Sequence, residues 1–229
     1  MRDEQTGSFW QQVTGSAISG PLKGATLELA RSDELSFALW KSESPNGLVL
    51  APDSRFAGDY ETKDWEAHIG KLPVSAKLKS GPVAARETVI GIAMNGTARA
   101  YPVSKIVQQS PLQDSVAGTP VLLVAGPDGV SVRAFISRIP PQNQPAEFFK
   151  PVSEAEPSPS KVRQSAAARP TPPGKDWKLL DSATNSEWNF KGCAISGPAR
   201  GACLEPIAFL KDYWFDWHNY HPNSSVYNH

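Results

Sequence analysis

Two cysteines and two histidines near the carboxyl end come closest to a metal-binding pattern in this sequence. Cys193, Cys203, His218 and His221 follow one another as C-x9-C-x14-H-x2-H, and thiolate and imidazole are the usual zinc ligands. The cysteines are much farther apart than the roughly two to four residues of ordinary zinc fingers. Two cysteines are also too few for a disulfide framework and are compatible with a reducing or an oxidising compartment.

Carboxylates are the second class of candidate, because hydrolases often use them in pairs. Asp114 has no partner base nearby in the sequence and stands just before Gly118, so an Asx turn that closes a loop is the favoured interpretation. Asp3 and Asp181 recur at equivalent places of two similar segments, which favours a repeated cap or turn contact. The sequence contains no Gly-x-Ser-x-Gly elbow, Walker loop, dinucleotide fingerprint or His-Glu-x-x-His motif.

The two similar segments lie at opposite ends of the chain. Residues 15–27 read GSAISGPLKGATL and residues 192–204 read GCAISGPARGACL, with 9 of 13 positions identical. From Leu27 to Trp40 is 13 residues, as it is from Leu204 to Trp217. Such a constant offset predicts two copies of one supersecondary unit, a first unit over residues 1–52 and a second unit over residues 176–229.

The repeat serves as an internal control for the metal hypothesis. The positions in the first unit that correspond to the four candidate ligands are Ser16, Thr26, Lys41 and Ser44. A unit that forms without any of these ligands does not need a metal in order to fold. The sequence therefore favours free thiols and surface imidazoles over zinc, and we expect no metal and no cofactor.

Each unit is predicted to be a hairpin followed by a short helix. Two β-compatible runs flank Gly-Pro-x-x-Gly, in which Pro presets φ for a turn and Gly takes backbone angles closed to other residues. Ser32 is predicted to cap the following helix, with Phe37 and Trp40 on one face. Pro45 and Pro222 then end the helices.

A central module over residues 53–138 separates the two units. Asn95-Gly96 predicts a hairpin with strands near residues 88–94 and 97–101. A helix is expected from Pro102 to Pro111, and a second hairpin around the turn Gly126–Gly129. Residues 139–175 are rich in Pro, Ser and Ala and predict a flexible linker. The fold class is therefore β-rich α+β, with antiparallel hairpins and short helices.

Several of these motifs occur together in a known family. The Asn-Gly-x-Ala-x-Ala-Tyr-Pro stretch at residues 95–102, the segment DSVAG at residues 114–118 and the Asp-x-x-Thr-x-Ser-x-Trp…Gly-Pro-x-x-Gly units resemble the bacterial and archaeal domain-of-unknown-function family numbered 3179. The resemblance implies that an Ala-Tyr-Pro segment precedes each unit and that many members carry this pair twice. On that basis we expect this chain to be the second half of a duplicated member, truncated at its start.

The departures from the family pattern bear on function. The resemblance implies a His soon after the Ala-Tyr-Pro segment and then a Cys-Pro-x-Cys-Gly turn, which together could bind a metal or act as a thiol centre. This chain has Gln109 in place of the His and Gly126–Gly129, GPDG, in place of the cysteine turn. Any chemistry at that turn is therefore expected to be missing here.

Seven tryptophans are a high number for a chain of 229 residues. Most recur by the repeat and are expected in the core. Trp65 and Trp177 have no counterpart, and Trp214 corresponds to a phenylalanine. If one of these three lines a cleft, it could bind an apolar, peptide or carbohydrate ligand.

Charge and hydropathy limit the remaining function classes. Lys and Arg balance Asp and Glu at 23 each, which disfavours nucleic-acid binding. No apolar run is long enough to span a membrane, and the start has no export signal, although a longer form could be exported. The sequence favours a non-catalytic binding or scaffolding protein. The alternative is a fragment of an exported enzyme or metal-binding protein whose Cys-x-x-Cys half lies upstream of Met1.

Overall fold

The structure, a computed structural model, describes residues 1–60, 64–74, 83–151 and 177–228. They form a β-rich α+β fold, as predicted. The helices are α1 (Phe37–Glu43), α2 (Trp65–Ile69), α3 (Val103–Gln109) and α4 (Trp214–Tyr220). The strands are β1 (Phe9–Trp10), β2 (Ala17–Ser19), β3 (Thr88–Met94), β4 (Thr97–Pro102), β5 (Leu112–Val116), β6 (Thr119–Ala125), β7 (Val132–Ile136), β8 (Arg138–Ile139), β9 (Gln144–Pro145), β10 (Phe148–Phe149), β11 (Leu179–Asp181), β12 (Glu187–Trp188), β13 (Ala194–Ser196), β14 (Leu210–Tyr213) and β15 (Ser225–Val226).

The predicted hairpin at Asn95-Gly96 is confirmed and forms the middle of a four-stranded sheet. Asn95 and Gly96 have φ values of 49° and 75°, the left-handed angles that a two-residue type I′ turn requires. The sheet order is β14-β3-β4-β15. Strand β14 pairs antiparallel with β3, and β15 pairs parallel with β4. Strands from the second unit therefore occupy both edges of the central hairpin.

A three-stranded antiparallel sheet, β5-β6-β7, follows helix α3. Strands β6 and β7 are the predicted hairpin around the turn Gly126–Gly129. Strand β5 was not predicted from the sequence, because its three central residues are polar. Only its end residues, Leu112 and Val116, are buried apolar side chains. The interpretation of Asp114 as an Asx-turn residue is wrong, since Asp114 lies within β5 and the turn is at Ala117-Gly118.

The first part of the predicted linker contains short strands. Strands β8 and β9 pair with each other, and β10 joins the sheet β10-β11-β12-β13. Ile139, Ala146 and Phe148 are buried. Residues 139–151 are thus part of the fold, because these apolar side chains anchor a segment that composition alone assigns to a linker. The rest of the predicted linker, residues 152–175, lies outside the described residues.

The predicted cap of the first helix is also wrong. Helix α1 begins at Phe37 with Ser36, not Ser32, as its N-cap, and the Ser36 hydroxyl accepts a hydrogen bond from the Leu39 N–H. Phe37 is exposed, and Leu39 is the buried residue of the helix. A long-range contact decides this start, because the hydroxyl of Ser36 also donates to Asp128 in the central module.

Three clusters of apolar side chains form the core. One surrounds Trp188 and includes Leu39 of α1. A second lies between the central hairpin and the three-stranded sheet and includes Tyr101 and Ile106. In the third, Trp214 and Trp217 of α4 pack against β3 and β4. In the part of the chain that the structure describes, no helix has the length and hydropathy needed to cross a bilayer.

Candidate functional site

Asp181 is a fully buried carboxylate at the start of the second unit. One of its oxygens accepts from the N–H groups of Ala183 and Thr184. The other accepts from the Thr184 hydroxyl at 2.7 Å, the Ser186 N–H at 3.0 Å and the Trp188 indole N–H at 2.9 Å. Burial raises the pKa of Asp181, but these hydrogen bonds outweigh it and leave the pKa below its usual value.

Asp3 makes the corresponding contacts in the first unit. Its carboxylate accepts from the Trp10 indole N–H at 2.8 Å, the Thr6 N–H at 2.6 Å and the Thr6 hydroxyl at 2.8 Å. The bond from Trp10, followed by that from the Thr6 backbone, lowers the pKa of Asp3 to about 2. Both aspartates therefore make structural turn contacts, as the sequence predicts.

A buried serine connects each aspartate network to a Gly-Pro-x-x-Gly turn. The Ser8 hydroxyl accepts from the Leu22 N–H at 3.1 Å, and the Ser186 hydroxyl accepts from the Ala199 N–H at 2.9 Å. Gly197 has φ +82°, and a Cβ built there would lie 2.6 Å from the Ser186 hydroxyl. The close approach of turn and serine therefore requires glycine.

Asp114 faces a charged partner between the two central sheets. Because alternate residues of a strand share a face, Asp114 lies on the same side of β5 as the buried Leu112 and Val116. Its carboxylate accepts from the Arg99 guanidinium at 2.5 Å, and each side chain is 19% exposed. Arg99 neutralises this carboxylate, so Asp114 is not an unpaired general base.

Tyr101, from the Ala-Tyr-Pro segment, is fully buried beside this ion pair. Its buried hydroxyl lies next to the Asp114 carboxylate and the Arg99 guanidinium. Burial, followed by the negative charge of Asp114, raises the pKa of Tyr101. The ring lies 5.7 Å from that of Tyr227, whose hydroxyl donates to Gln109 at 2.9 Å. Tyr101 of the Ala-Tyr-Pro segment and Asp114 of the segment DSVAG thus lie together at the Arg99–Asp114 ion pair.

The turn Gly126–Gly129 makes a structural contact through Asp128. Asp128 accepts from the N–H groups of Val130 and Ser131, from the Ser131 hydroxyl at 2.5 Å and from the Ser36 hydroxyl at 2.6 Å. Burial raises the pKa of Asp128, but these hydrogen bonds lower it by more, so the pKa lies below its usual value. Through Ser36 the turn fixes the start of α1.

Cys193 and Cys203 form a disulfide, so the expectation of free thiols is wrong. They lie opposite each other in an antiparallel bridge, and their counterparts Ser16 and Thr26 form the same bridge in the first unit. The cross-strand geometry brings the two sulfurs together, which the sequence separation alone does not reveal. The described residues contain no cluster of His, Cys, Asp and Glu that could hold a metal ion.

The two histidines of the predicted set are not surface imidazoles either. His218 stacks on Trp214 with ring centroids 4.7 Å apart, and its Nδ1 is buried without a hydrogen-bond partner among the described residues. His221 lies 4.1 Å from the Trp217 ring, and burial lowers its pKa. Both imidazoles are half-buried because the helix that carries them packs on β3 and β4.

The comparison with protein families shows to which family the chain belongs. The sequence model of a family described as a protein of unknown function, DUF3179, matches residues 1–224. The chain belongs to the DUF3179 family. Comparisons with curated proteins and with solved structures give no match.

The three unmatched tryptophans of this DUF3179 chain have different surroundings. Trp65 is exposed on the short helix α2. Trp177 is half-buried, donates to the Ala125 carbonyl at 2.9 Å and packs edge-on against Phe190. Trp214 is buried in the core. The structure does not bring these three side chains together.

Sequence analysis missed Arg133, a buried arginine in the DUF3179 chain. Its guanidinium binds Glu43 at 2.8 Å and Asp33 at 2.7 Å and lies over the Phe190 ring. The available signal was a charged residue within the apolar run of β7. The side chain borders a cleft of about 420 Å³ that is also lined by Lys191 and the disulfide. The ion pairs attach the first unit to the central module.

Proposed function

We propose that this DUF3179 chain is a non-catalytic binding or scaffolding protein built from a duplicated unit, residues 1–52 and 176–229, around a central module. The duplication is supported by matching networks, since Asp3 and Asp181 accept from equivalent threonine and tryptophan donors. The matching bridges at residues 16–26 and 193–203 add to this support.

One observation carries the non-catalytic assignment. At the turn where the family resemblance implies thiol or metal chemistry, the Asp128 carboxylate binds Ser36 and Ser131 within the protein. A carboxylate whose two oxygens accept four protein donors offers poor access to a substrate or a metal. The turn instead holds the first unit against the central module.

Elemental analysis of the purified, untagged chain, with thiol titration alongside, tests this assignment directly. We expect no metal at stoichiometric amounts and, without reductant, no titratable thiol after unfolding. A stoichiometric metal that disappears in Asp128→Ala or Asp114→Asn would replace the scaffolding assignment with a metal site. Ser32→Ala, which alters an exposed serine in the same approach to α1, serves as the control variant.

A double-mutant cycle tests the structural role of the turn. We expect Asp128→Asn and Ser36→Ala each to lower the free energy of unfolding, with a coupling energy of about 1 kcal/mol because the two side chains share a hydrogen bond. Urea denaturation of the two single variants and the double variant measures this coupling. Additive effects would show that the contact does not contribute to stability.

A further inference from the structure

The disulfide lies on the wall of a cleft. Cys203 is exposed and Cys193 is half-buried. Both residues line the cleft of about 420 Å³ that Arg133 borders. A thiol exchanges with a disulfide only where it can reach one of the two sulfurs. The cleft therefore gives a small molecule a path to this bond in the folded protein.

Hydrogen bonds hold the backbone on both sides of the disulfide. On one side, the Leu204 N–H donates to the Gly192 carbonyl at 2.8 Å. On the other side, the Ala194 N–H donates to the Ala202 carbonyl at 2.8 Å. Residues between two such bonds form a non-hydrogen-bonded pair, in which the side chains of opposite strands lie closest together. Two thiols at this place would stay opposite each other, so that the bond can form again.

The first unit forms the same bridge without a covalent bond. Ser16 and Thr26 stand in place of the two cysteines. The Leu27 N–H donates to the Gly15 carbonyl at 2.9 Å, the bond that flanks the disulfide in the second unit. Ser16 is half-buried and Thr26 is exposed, as are the cysteines that correspond to them. Backbone hydrogen bonds are therefore sufficient for this bridge, and the disulfide is free to have another role.

The disulfide also closes a short loop. Cys193 and Cys203 are separated by 10 positions in the sequence. A cross-link over a short loop removes less chain entropy from the unfolded state than one over a long loop. We therefore expect the chain to keep its fold when this bond is reduced.

The cleft carries more cations than carboxylates among the described residues. The charged side chains that line it are those of Arg31, Arg133, Lys191, Asp33 and Glu43. Lys191 stands two residues before Cys193 and is 51% exposed, although its Nζ lies 3.9 Å from Glu43. A positive charge near a disulfide attracts an anionic thiol and stabilises the thiolate that leaves.

We propose that the Cys193–Cys203 disulfide is a site of reversible exchange with a small thiol that carries carboxylates. The ligand thiolate attacks the Cys203 sulfur and forms a new S–S bond there. The bond between the cysteines breaks, its electron pair stays on the Cys193 sulfur, and that sulfur takes up the proton that the ligand thiol released. This inference goes beyond the proposed binding function and does not depend on it.

A second ligand thiol completes the reduction. Its thiolate attacks the sulfur of the bound ligand, and Cys203 leaves with the electron pair and is protonated in turn. The protein gains two electrons and two protons, and two ligand thiols are oxidised to one disulfide. A dithiol chain reverses these steps with the oxidised ligand.

Glutathione, a thiol peptide with two carboxylates, is the probe, and the full chain is used in its folded state. Alkylation followed by mass spectrometry measures the reduced fraction. Reduction should proceed at a rate proportional to the glutathione concentration, with an unchanged far-UV circular dichroism spectrum. In Cys193→Ser, oxidised glutathione should form a stable mixed disulfide with Cys203. Cysteamine, a cationic thiol, should reduce the wild type about fivefold more slowly at equal thiolate concentration.

Matched variants separate the charge of the cleft from the role of the bond. Lys191→Gln should lower the ratio of the two rates about twofold. Lys23→Gln, at an exposed lysine that does not line the cleft, should leave this ratio unchanged. The double variant Cys193→Ser with Cys203→Thr has the residues of the first unit at this bridge. It should keep the wild-type circular dichroism spectrum and a melting temperature within about 10 °C of the wild-type value.

Three results would overturn the proposal. The first is a folded chain that resists glutathione, with thiols appearing only at the rate of global unfolding. The second is loss of cooperative unfolding in the reduced chain or in the double variant, which would make the disulfide a structural bond that the fold requires. The third is equal rates with glutathione and cysteamine, which would exclude recognition of a carboxylate-bearing thiol by the cleft.

Discussion

Replacing Asp181 with Asn should be among the most destabilising single changes in this chain. The substitution keeps the shape of the side chain but converts one acceptor oxygen into an NH₂ donor. Of the bonds to the oxygen that is lost, the Thr184 hydroxyl can turn away, whereas the N–H groups of Ser186 and Trp188 cannot. Two buried donors then have no acceptor.

The structure sets the size of this effect. Each buried donor left without a partner costs about 1–3 kcal/mol, so Asp181→Asn should lower the free energy of unfolding by about 4 kcal/mol at pH 7. That is a large fraction of the stability of a typical domain. Urea denaturation followed by far-UV circular dichroism measures the shift. Asp3→Asn, the same change at a half-buried position, should shift the urea midpoint less.

The effect also has a defined pH dependence. The pKa of Asp181 is lowered in the folded state, so the stability it confers is present above the unfolded pKa of about 3.9 and is lost as pH falls through the folded value. The difference between wild type and Asp181→Asn should therefore shrink below about pH 4. An unchanged urea midpoint at pH 7, or a difference that grows on acidification, would refute this account of the network.

Three further changes test other parts of the fold. Gly91→Ala should destabilise by about 1–3 kcal/mol because its Cβ would lie 2.3 Å from the Trp217 ring, whereas Gly58→Ala, with open space around it, should have little effect in the same denaturation assay. Arg133→Met should destabilise by about 1–2 kcal/mol, because Glu43 then keeps only Lys191 at 3.9 Å while Asp33 is 44% exposed, and a rise in melting temperature would contradict this. Burial raises the pKa of Asp212 to about 6, so its ionisation opposes folding as pH rises through that value; Asp212→Asn should therefore raise the melting temperature at pH 8 but not at pH 4.

Local signals predicted the central hairpins well. Asn95-Gly96 and the turn Gly126–Gly129 are read from a few adjacent residues, and the strands lie where they were expected. Turn chemistry is local, so a single sequence contains it. The aspartate contacts of the two units were predictable for the same reason, because their donors lie within seven residues.

Long-range contacts explain what the sequence did not predict. Ser36 caps α1 because Asp128, 92 residues away, holds its hydroxyl. Asp114 looked isolated because its partner Arg99 lies on a different strand. The disulfide required knowledge that Cys193 and Cys203 face each other across a bridge. In each case tertiary contact, rather than local propensity, fixes the role of the residue.

In the duplication that we propose, helices α1 and α4 are counterparts, but they pack on different parts of the core. In α4, Trp214 and Trp217 pack against the central hairpin. In α1 the buried residue is Leu39, whose counterpart in the repeat is the half-buried Asp216. An apolar residue at that position turns the helix toward the core around Trp188. The same orientation of the helix leaves Phe37 exposed, where its ring stacks on Trp40.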